Sequence, residues 1–308
     1  MKNRGTVVVG VTEKLHANAV GLDARAPLEV AALLVESQIE AARVVAGVLP
    51  ELCVGADYMA ASLGKGGSLI YAAAGSSALM MLADALELGG TFGIDSGSVR
   101  MLMAGGIPTD CRMPGDTEDE TGSLLASLAD VSGRDTLIAV SASGNTPYTL
   151  EAARIARQKG ARVIAIAHNP DTPLLALGDC SIFLPTAPEV VSGSTRMGAA
   201  TAQKIAMNTM STLMAIQLGH VHDGMMVNLK ADNIKLRNRA SQIVQVIADV
   251  PEKQAKKALS LACDNVKLAS LIAAGNLCVE EAQSLLDKEK GNLRGALGRL
   301  VHINQFQG

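Results

Sequence analysis

Residues 135–169 read DTLIAVSASGNTPYTLEAARIARQKGARVIAIAHN. Two apolar runs, 135–143 and 161–169, flank a polar turn and a helical stretch that opens at Pro147. Runs that are apolar throughout, rather than alternating, belong to strands covered on both faces. Strand, turn, helix and strand at this spacing form one crossover unit of a parallel sheet.

The same unit recurs on either side. SLIYAAAG (68–75) precedes the helical SSALMMLADALEL (76–88), and VRMLMAGG (99–106) precedes an acidic loop and the helical-looking TEDETGSLLASLADV (117–131). CSIFLPT (180–186) is a further strand, and a long helix is expected over roughly 195–218. The expected class is therefore α/β, a doubly wound parallel sheet flanked by helices. Before it, apolar residues from Leu28 to Leu49 recur every three or four positions, predicting a helix over 27–49 that Pro50 stops. After it, LKADNIKLRNRASQIVQVIADV reads as one more helix, and the tail carries three or four short helical patterns with a break at Gly291 and Asn292 as a candidate N-cap. The expected organisation is an N-terminal helical segment (1–50), a central ligand-binding domain (51–220), a helical connector (221–250) and a small helical module (251–308).

Composition narrows the function. Of 308 residues, 48% are hydrophobic but only 2% are aromatic, with no Trp. So few rings disfavour an all-β sandwich and exclude a base-stacking platform. Lys and Arg number 27 against 30 acids, a net charge of −3, which leaves no electrostatic footprint for nucleic acid or an anionic membrane. The apolar stretch in MKNRGTVVVGVTEKLH is too short and interrupted for a secretory signal, and no run of about 18 apolar residues is seen. Five scattered Cys without a C-x-x-C pair read as free thiols of a reducing compartment. The expectation is a soluble cytoplasmic protein.

Three loops at strand ends share one chemistry. They are Ala74-Gly75-Ser76-Ser77, Ser141-Ala142-Ser143-Gly144-Asn145-Thr146-Pro147 and Ser192-Gly193-Ser194-Thr195. Glycine permits close approach, free N–H groups at a helix start attract anions, and hydroxyls add donors. Any one loop is explained by Ser and Thr as ordinary helix caps. The three together describe a pocket for a phosphate or sugar hydroxyls. Neither a P-loop nor a G-x-G-x-x-G is present.

Among the acids, Glu87 ends an apolar helix before Gly89-Gly90, Glu118 lies in an acidic run that helix-dipole complementation alone would explain, and Glu189 is a lone acid among loop residues that could orient a hydroxyl. His168 at a strand end reads as a pocket donor or a core histidine. His220 and His222 beside Asp223 lack a third metal ligand nearby.

These segments resemble one family in order. Thr12-Glu13, A-A-G-S-S, D-A-L-E-L-G-G-T-F-G (84–93), M-A-G-G (103–106), T-E-D (117–119), S-A-S-G-N-T-P-Y (141–148), H-N-P (168–170), P-E-V-V-S-G-S-T-R-M (188–197), T-A-Q-K (201–204) and N-x-K-L (233–236) are similar to the N-acetylmuramic acid 6-phosphate etherases. The resemblance spans roughly residues 12–300, with a sugar isomerase (SIS) domain at about 50–220. It implies cleavage of the D-lactyl ether by elimination and water addition, in amino-sugar catabolism and recycling of the cell wall. Glu87 falls at the family's acid towards the lactyl oxygen, and Glu118 at its base on C2. One group must hold a proton while the other is ionised. Ser76, Ser77, Ser141, Ser143, Thr146, Glu189 and Ser194 would bind the substrate. No cofactor or metal is implied, and the partner is a sugar phosphate, with a homodimer in which the helix 195–218 is an interface element.

The chain departs from the family at four places. It has Gly75-Ser76-Ser77-Ala78-Leu79 for G-T-S-G-R, Leu88-Gly89-Gly90 for C-P-P, Arg196-Met197-Gly198 for R-M-K and Asn233-Ile234-Lys235-Leu236 for N-E-K-L. Two cations are thereby lost around an anionic substrate, which marks a divergent branch. The alternatives are a sugar-phosphate sensor without catalysis, as in the related glucokinase regulatory protein, and an aldose–ketose isomerase. With so few rings, the pocket is expected to hold its sugar through hydroxyls, backbone N–H groups and two carboxylates.

Overall fold

A computed structural model describes residues 10–306, with side chains through 300. Most of the N-terminal stretch weighed as a signal sequence lies outside the described residues. One compact unit holds the chain up to Ala85 together with Gly97–Ser211; the other holds Leu86–Ser96 and the chain from Thr212 onward.

The first unit opens with a 3-10 turn, Val11–Glu13, and helix α1 (Pro27–Val44), followed by α2 (Leu49–Gly64). A 3-10 turn, Val45–Val48, separates the two helices. Pro50 therefore starts a helix instead of stopping one. It sits in the first turn of α2, where a missing N–H costs nothing. Strands β1 (Leu69–Ala73), β2 (Val99–Met103), β3 (Thr136–Val140), β4 (Arg162–Ala167) and β5 (Cys180–Phe183) form one parallel sheet in the order β2-β1-β3-β4-β5. Helices α3 (Gly75–Phe92), α4 (Leu124–Ser127), α5 (Pro147–Gln158), α6 (Pro173–Leu177) and α7 (Gly198–Gln217) connect and follow the strands.

All five residues of β1 and of β3 are buried, as the continuous apolar runs require. On one face Ile70, Ala72, Leu137, Ala139, Val163 and Ala165 pack with Tyr148, Ala152 and Ile155 of α5 and Leu174 of α6. On the other, Tyr71 Oη donates to Asp84 of α3 at 2.9 Å, and Asp84 also accepts from Asn208 Nδ2 and Ser211 Oγ of α7, each at 2.7 Å. This buried carboxylate joins β1, α3 and α7 without a cation. Gly55 lets α2 lie against Met210 of α7 and Ile164 of β4, where a Cβ would collide with the Met210 sulfur.

The span Pro27–Gly64 is apolar enough in length and composition to cross a membrane. Of its most apolar 18 residues 28% are buried, and Leu52, Ala56 and Met59 of α2 are fully buried within the unit.

The expected helix in 117–131 is reduced to the single turn α4; the rest of 104–123 is loop. Gly105, with φ +75°, lets this loop fold back so closely that a side chain there would meet Pro114 and Thr117.

The second unit contains the hairpin β6 (Val221–His222) and β7 (Met225–Met226), then α8 (Ile234–Ala248), α9 (Glu252–Leu261), α10 (Val266–Gly275), α11 (Val279–Lys288) and α12 (Leu293–Phe306). Its core includes Val227, Val244, Ala255, Ala269, Leu271, Ala282 and Ala296. Asn292 caps α12 through Oδ1, which accepts from Gly295 N–H at 3.1 Å. Buried Lys267 donates to the Gly291 carbonyl at 2.9 Å, which closes the turn before it. Among the described residues no group of three potential metal ligands occurs; His222 lies in β6 and His220 just before it.

Candidate active site

Strand order places β1 and β3 side by side while their chain connections diverge, one to β2 and the other to β4. A crevice opens at such a switch point, beyond the carboxyl ends of the strands. Here it is a cavity of about 190 Å³, lined by Thr12, Glu13, Ala74 to Ser77, Glu118, Ser141 to Ser143, Thr146, Gly193 and Thr195. All three polar loops contribute to it. A larger cavity of about 720 Å³ runs beside β2, but its lining brings Glu120 alone as a carboxylate, among Met101, Leu102, Ile107 and glycines. The smaller cavity has the richer chemistry.

Ser76 and Ser77 stand in the first turn of α3, where unpaired N–H groups and the helix dipole favour negative charge. Ser141 Oγ lies 2.8 Å from Thr146 Oγ1 and 3.3 Å from Ser143 Oγ, and accepts from Gly144 N–H at 3.1 Å. Gly144 has φ +72° and packs against Thr172, the N-cap of α6, leaving no room for a Cβ.

Glu118 is an exposed residue whose main chain is anchored. Its carbonyl accepts from the N–H of Tyr148 in the first turn of α5 at 2.9 Å. Its carboxylate rests against the start of α3, where a Cβ on Gly75 would lie 3.3 Å from Oε1. No helix begins at Glu118, so dipole complementation of its own helix does not account for this acid.

Of the expected binding residues, Ser76, Ser77, Ser141, Ser143 and Thr146 line the cavity with Glu118. Ser194 does not; it forms a turn whose neighbours Gly193 and Thr195 do. The structure employs Glu189 differently from the expected hydroxyl-orienting role. Buried at 5% exposure, it accepts from Gly198 N–H at 3.0 Å and Ala199 N–H at 2.9 Å, and so caps α7. His168 is likewise internal, with Nδ1 2.9 Å from Thr186 Oγ1, and burial lowers its pKa to about 4. Glu87 is exposed on α3, in the part of that helix belonging to the second unit.

Similarity to known proteins follows the same lines. The SIS domain family matches residues 41–168. An N-acetylmuramic acid 6-phosphate etherase of Deinococcus radiodurans is 38% identical over 289 residues, covering 93% of this chain and 95% of that protein. The chain belongs to the N-acetylmuramic acid 6-phosphate etherase family. The etherase of Serratia proteamaculans is 36% identical over 94% of this chain and 98% of its own length. A solved protein of Bacteroides fragilis, assigned as a phosphosugar isomerase involved in capsule formation, shares the fold at TM-score 0.50 and 18% identity, over 65% of this chain and 95% of that one.

In this member of the etherase family no Lys, Arg or aromatic residue is among those that line the cavity. The residues that sequence reasoning left without a role are Thr12, Glu13, Asn169 and Thr195. Three of these line the cavity, and Asn169 bonds to its wall. All four lie inside the matched segments, so the signal existed, but nothing in the spacing indicated that residue 12 would return to a loop after β4.

Proposed function

We propose that this chain cleaves N-acetylmuramic acid 6-phosphate to N-acetylglucosamine 6-phosphate and D-lactate, as a carbon–oxygen lyase. The observation that carries the reading is Glu118. It is an acid beside the start of α3, lining a cavity of hydroxyls, in a chain of the etherase family.

A carboxylate at this place serves as a base. Glu118 takes the C2 proton of the open-chain sugar, which the C1 aldehyde acidifies. The C3–O bond breaks as the C2–C3 double bond forms, and the departing lactyl oxygen takes up a proton; Glu87, which the resemblance implies as its donor, is not among the residues that line this cavity. Water then adds at C3, and a proton returns to C2. The Ser76, Ser77, Ser141, Ser143 and Thr146 hydroxyls with the α3 N–H groups hold the phosphate and sugar hydroxyls. All the donors in this lining are neutral. The chain works in the cytoplasm as a homodimer; five free thiols among the described residues support a reducing compartment.

The test is incubation of purified protein with N-acetylmuramic acid 6-phosphate and assay of both products. Equimolar lactate and N-acetylglucosamine 6-phosphate are expected. A ketose without lactate, or binding without turnover, would replace this reading with an isomerase or a sensor.

A further inference from the structure

The cavity holds a second carboxylate that the proposed chemistry does not use. Glu13 ends the 3-10 turn that precedes α1 and forms part of the cavity wall. An exposed glutamate on a short turn is ordinarily just solvated. Here the turn is fixed from beneath. Thr12 and Asn169 are each 6% exposed and bond reciprocally: Thr12 N–H donates to Asn169 Oδ1 at 3.3 Å, and Asn169 Nδ2 donates to Thr12 Oγ1 at 3.1 Å. The same Nδ2 donates to the Ser143 carbonyl at 3.1 Å, tying the turn to the Ser141–Thr146 loop. Gly10 passes so close that a Cβ would lie 2.7 Å from Asn169 Nδ2. The Glu13 carboxylate is directed towards Gly193, where a Cβ would lie 3.7 Å from Oε2, and it takes no hydrogen bond or ion pair from the described residues.

An ionised carboxylate only accepts hydrogen bonds, and it repels a phosphate. With no cation in the lining, a ligand beside Glu13 must offer it neutral donors. We propose that Glu13 is a specificity-determining residue that accepts hydrogen bonds from the hydroxyl or acetamido N–H groups of the sugar, and that Asn169 positions it. The proposal deepens the etherase reading and rests on it for the identity of the sugar.

The test pairs lactate-release kinetics with calorimetric binding of N-acetylglucosamine 6-phosphate, on wild type, Glu13→Ala, Glu13→Gln, Asn169→Ala and the Glu13→Ala/Asn169→Ala double variant. Glu13→Ala should raise KM and weaken product binding about ten- to hundredfold, leave kcat within about threefold and keep the wild-type melting temperature. Glu13→Gln, which retains one acceptor oxygen, should fall between wild type and Ala. The double variant should bind no more weakly than the worse single variant, because Asn169 acts through Glu13. An unchanged KM and binding constant in Glu13→Ala, or a loss that follows a falling melting temperature across the series, overturns the proposal. If wild type binds the product yet releases no lactate, the etherase reading falls while the role of Glu13 is still decided by the binding series.

Discussion

The N–H of Tyr148 donates to the carbonyl of Glu118 at 2.9 Å. The first turn of α5 thus anchors an otherwise irregular loop at Glu118, whose side chain lies near the start of α3. An orphan donor of one helix fixes the main chain of an acid whose side chain lies near the N-terminus of another.

The contact between Glu118 and Gly75 should be sensitive to a single methyl group. Gly75 has φ +55°, a conformation that costs a non-glycine residue about 1 kcal/mol or more, and its Cβ would press on Glu118 Oε1. Gly75→Ala is expected to lower stability by about 1–2 kcal/mol in urea denaturation. Lactate release should fall further, up to about a hundredfold, because a displaced base loses its alignment.

Ser141 organises its loop as well as facing the cavity. Ser141→Ala removes the hydroxyl shared with Thr146, Ser143 and the Gly144 N–H, and should destabilise by about 1 kcal/mol. Product binding by calorimetry should weaken about tenfold or more, since both a donor and the loop geometry are lost.

Asp84 should prove to be a structural acid. An Asp84→Asn side chain turns an amide N–H2 towards Tyr71 or towards Asn208 and Ser211, all of which donate to it in the native state. A loss of about 2–3 kcal/mol in urea unfolding is expected. Tyr71→Phe should cost only about 1 kcal/mol, because two donors remain to the carboxylate.

His168 should supply an acid limb to stability. Burial lowers its pKa to about 4, against about 6.5 for an exposed imidazole. Above pH 6.5 it is neutral in both folded and unfolded chains and contributes no pH dependence. As pH falls from 6.5 to 4 the unfolded chain takes up a proton that the folded one refuses, so stability declines. The decline reaches about 2 kcal/mol by pH 5. His168→Gln should reduce the wild-type loss between pH 7 and pH 5 by about that amount, as measured by urea titrations.

The sheet was legible because fully buried parallel strands leave continuous apolar runs, and Leu69–Ala73, Thr136–Val140 and Arg162–Ala167 each lie inside an expected run. The polar loops after β1 and β3 were legible for the same reason, since their place in the fold follows from strand order. Helix ends were less so. Pro50 suits a helix start as well as a stop, and the acidic, glycine-rich 104–123 loop mimics a capped helix in composition. Glu189 could not be distinguished from a ligand-binding acid, because a loop carboxylate and a helix cap look alike until the chain is folded. Asn169 and Thr12 were beyond reach of any local pattern. Their contact joins residues 157 positions apart, and neither residue type signals it.

The central claim is that Glu118 removes the C2 proton. It is tested most directly by running the reaction in heavy water and reading deuterium at C2 of N-acetylglucosamine 6-phosphate by NMR. Wild type should release lactate and give product carrying one deuterium at C2, while Glu118→Gln should give neither lactate nor exchange. Lactate with protium retained at C2, or full exchange by Glu118→Gln, would contradict the account.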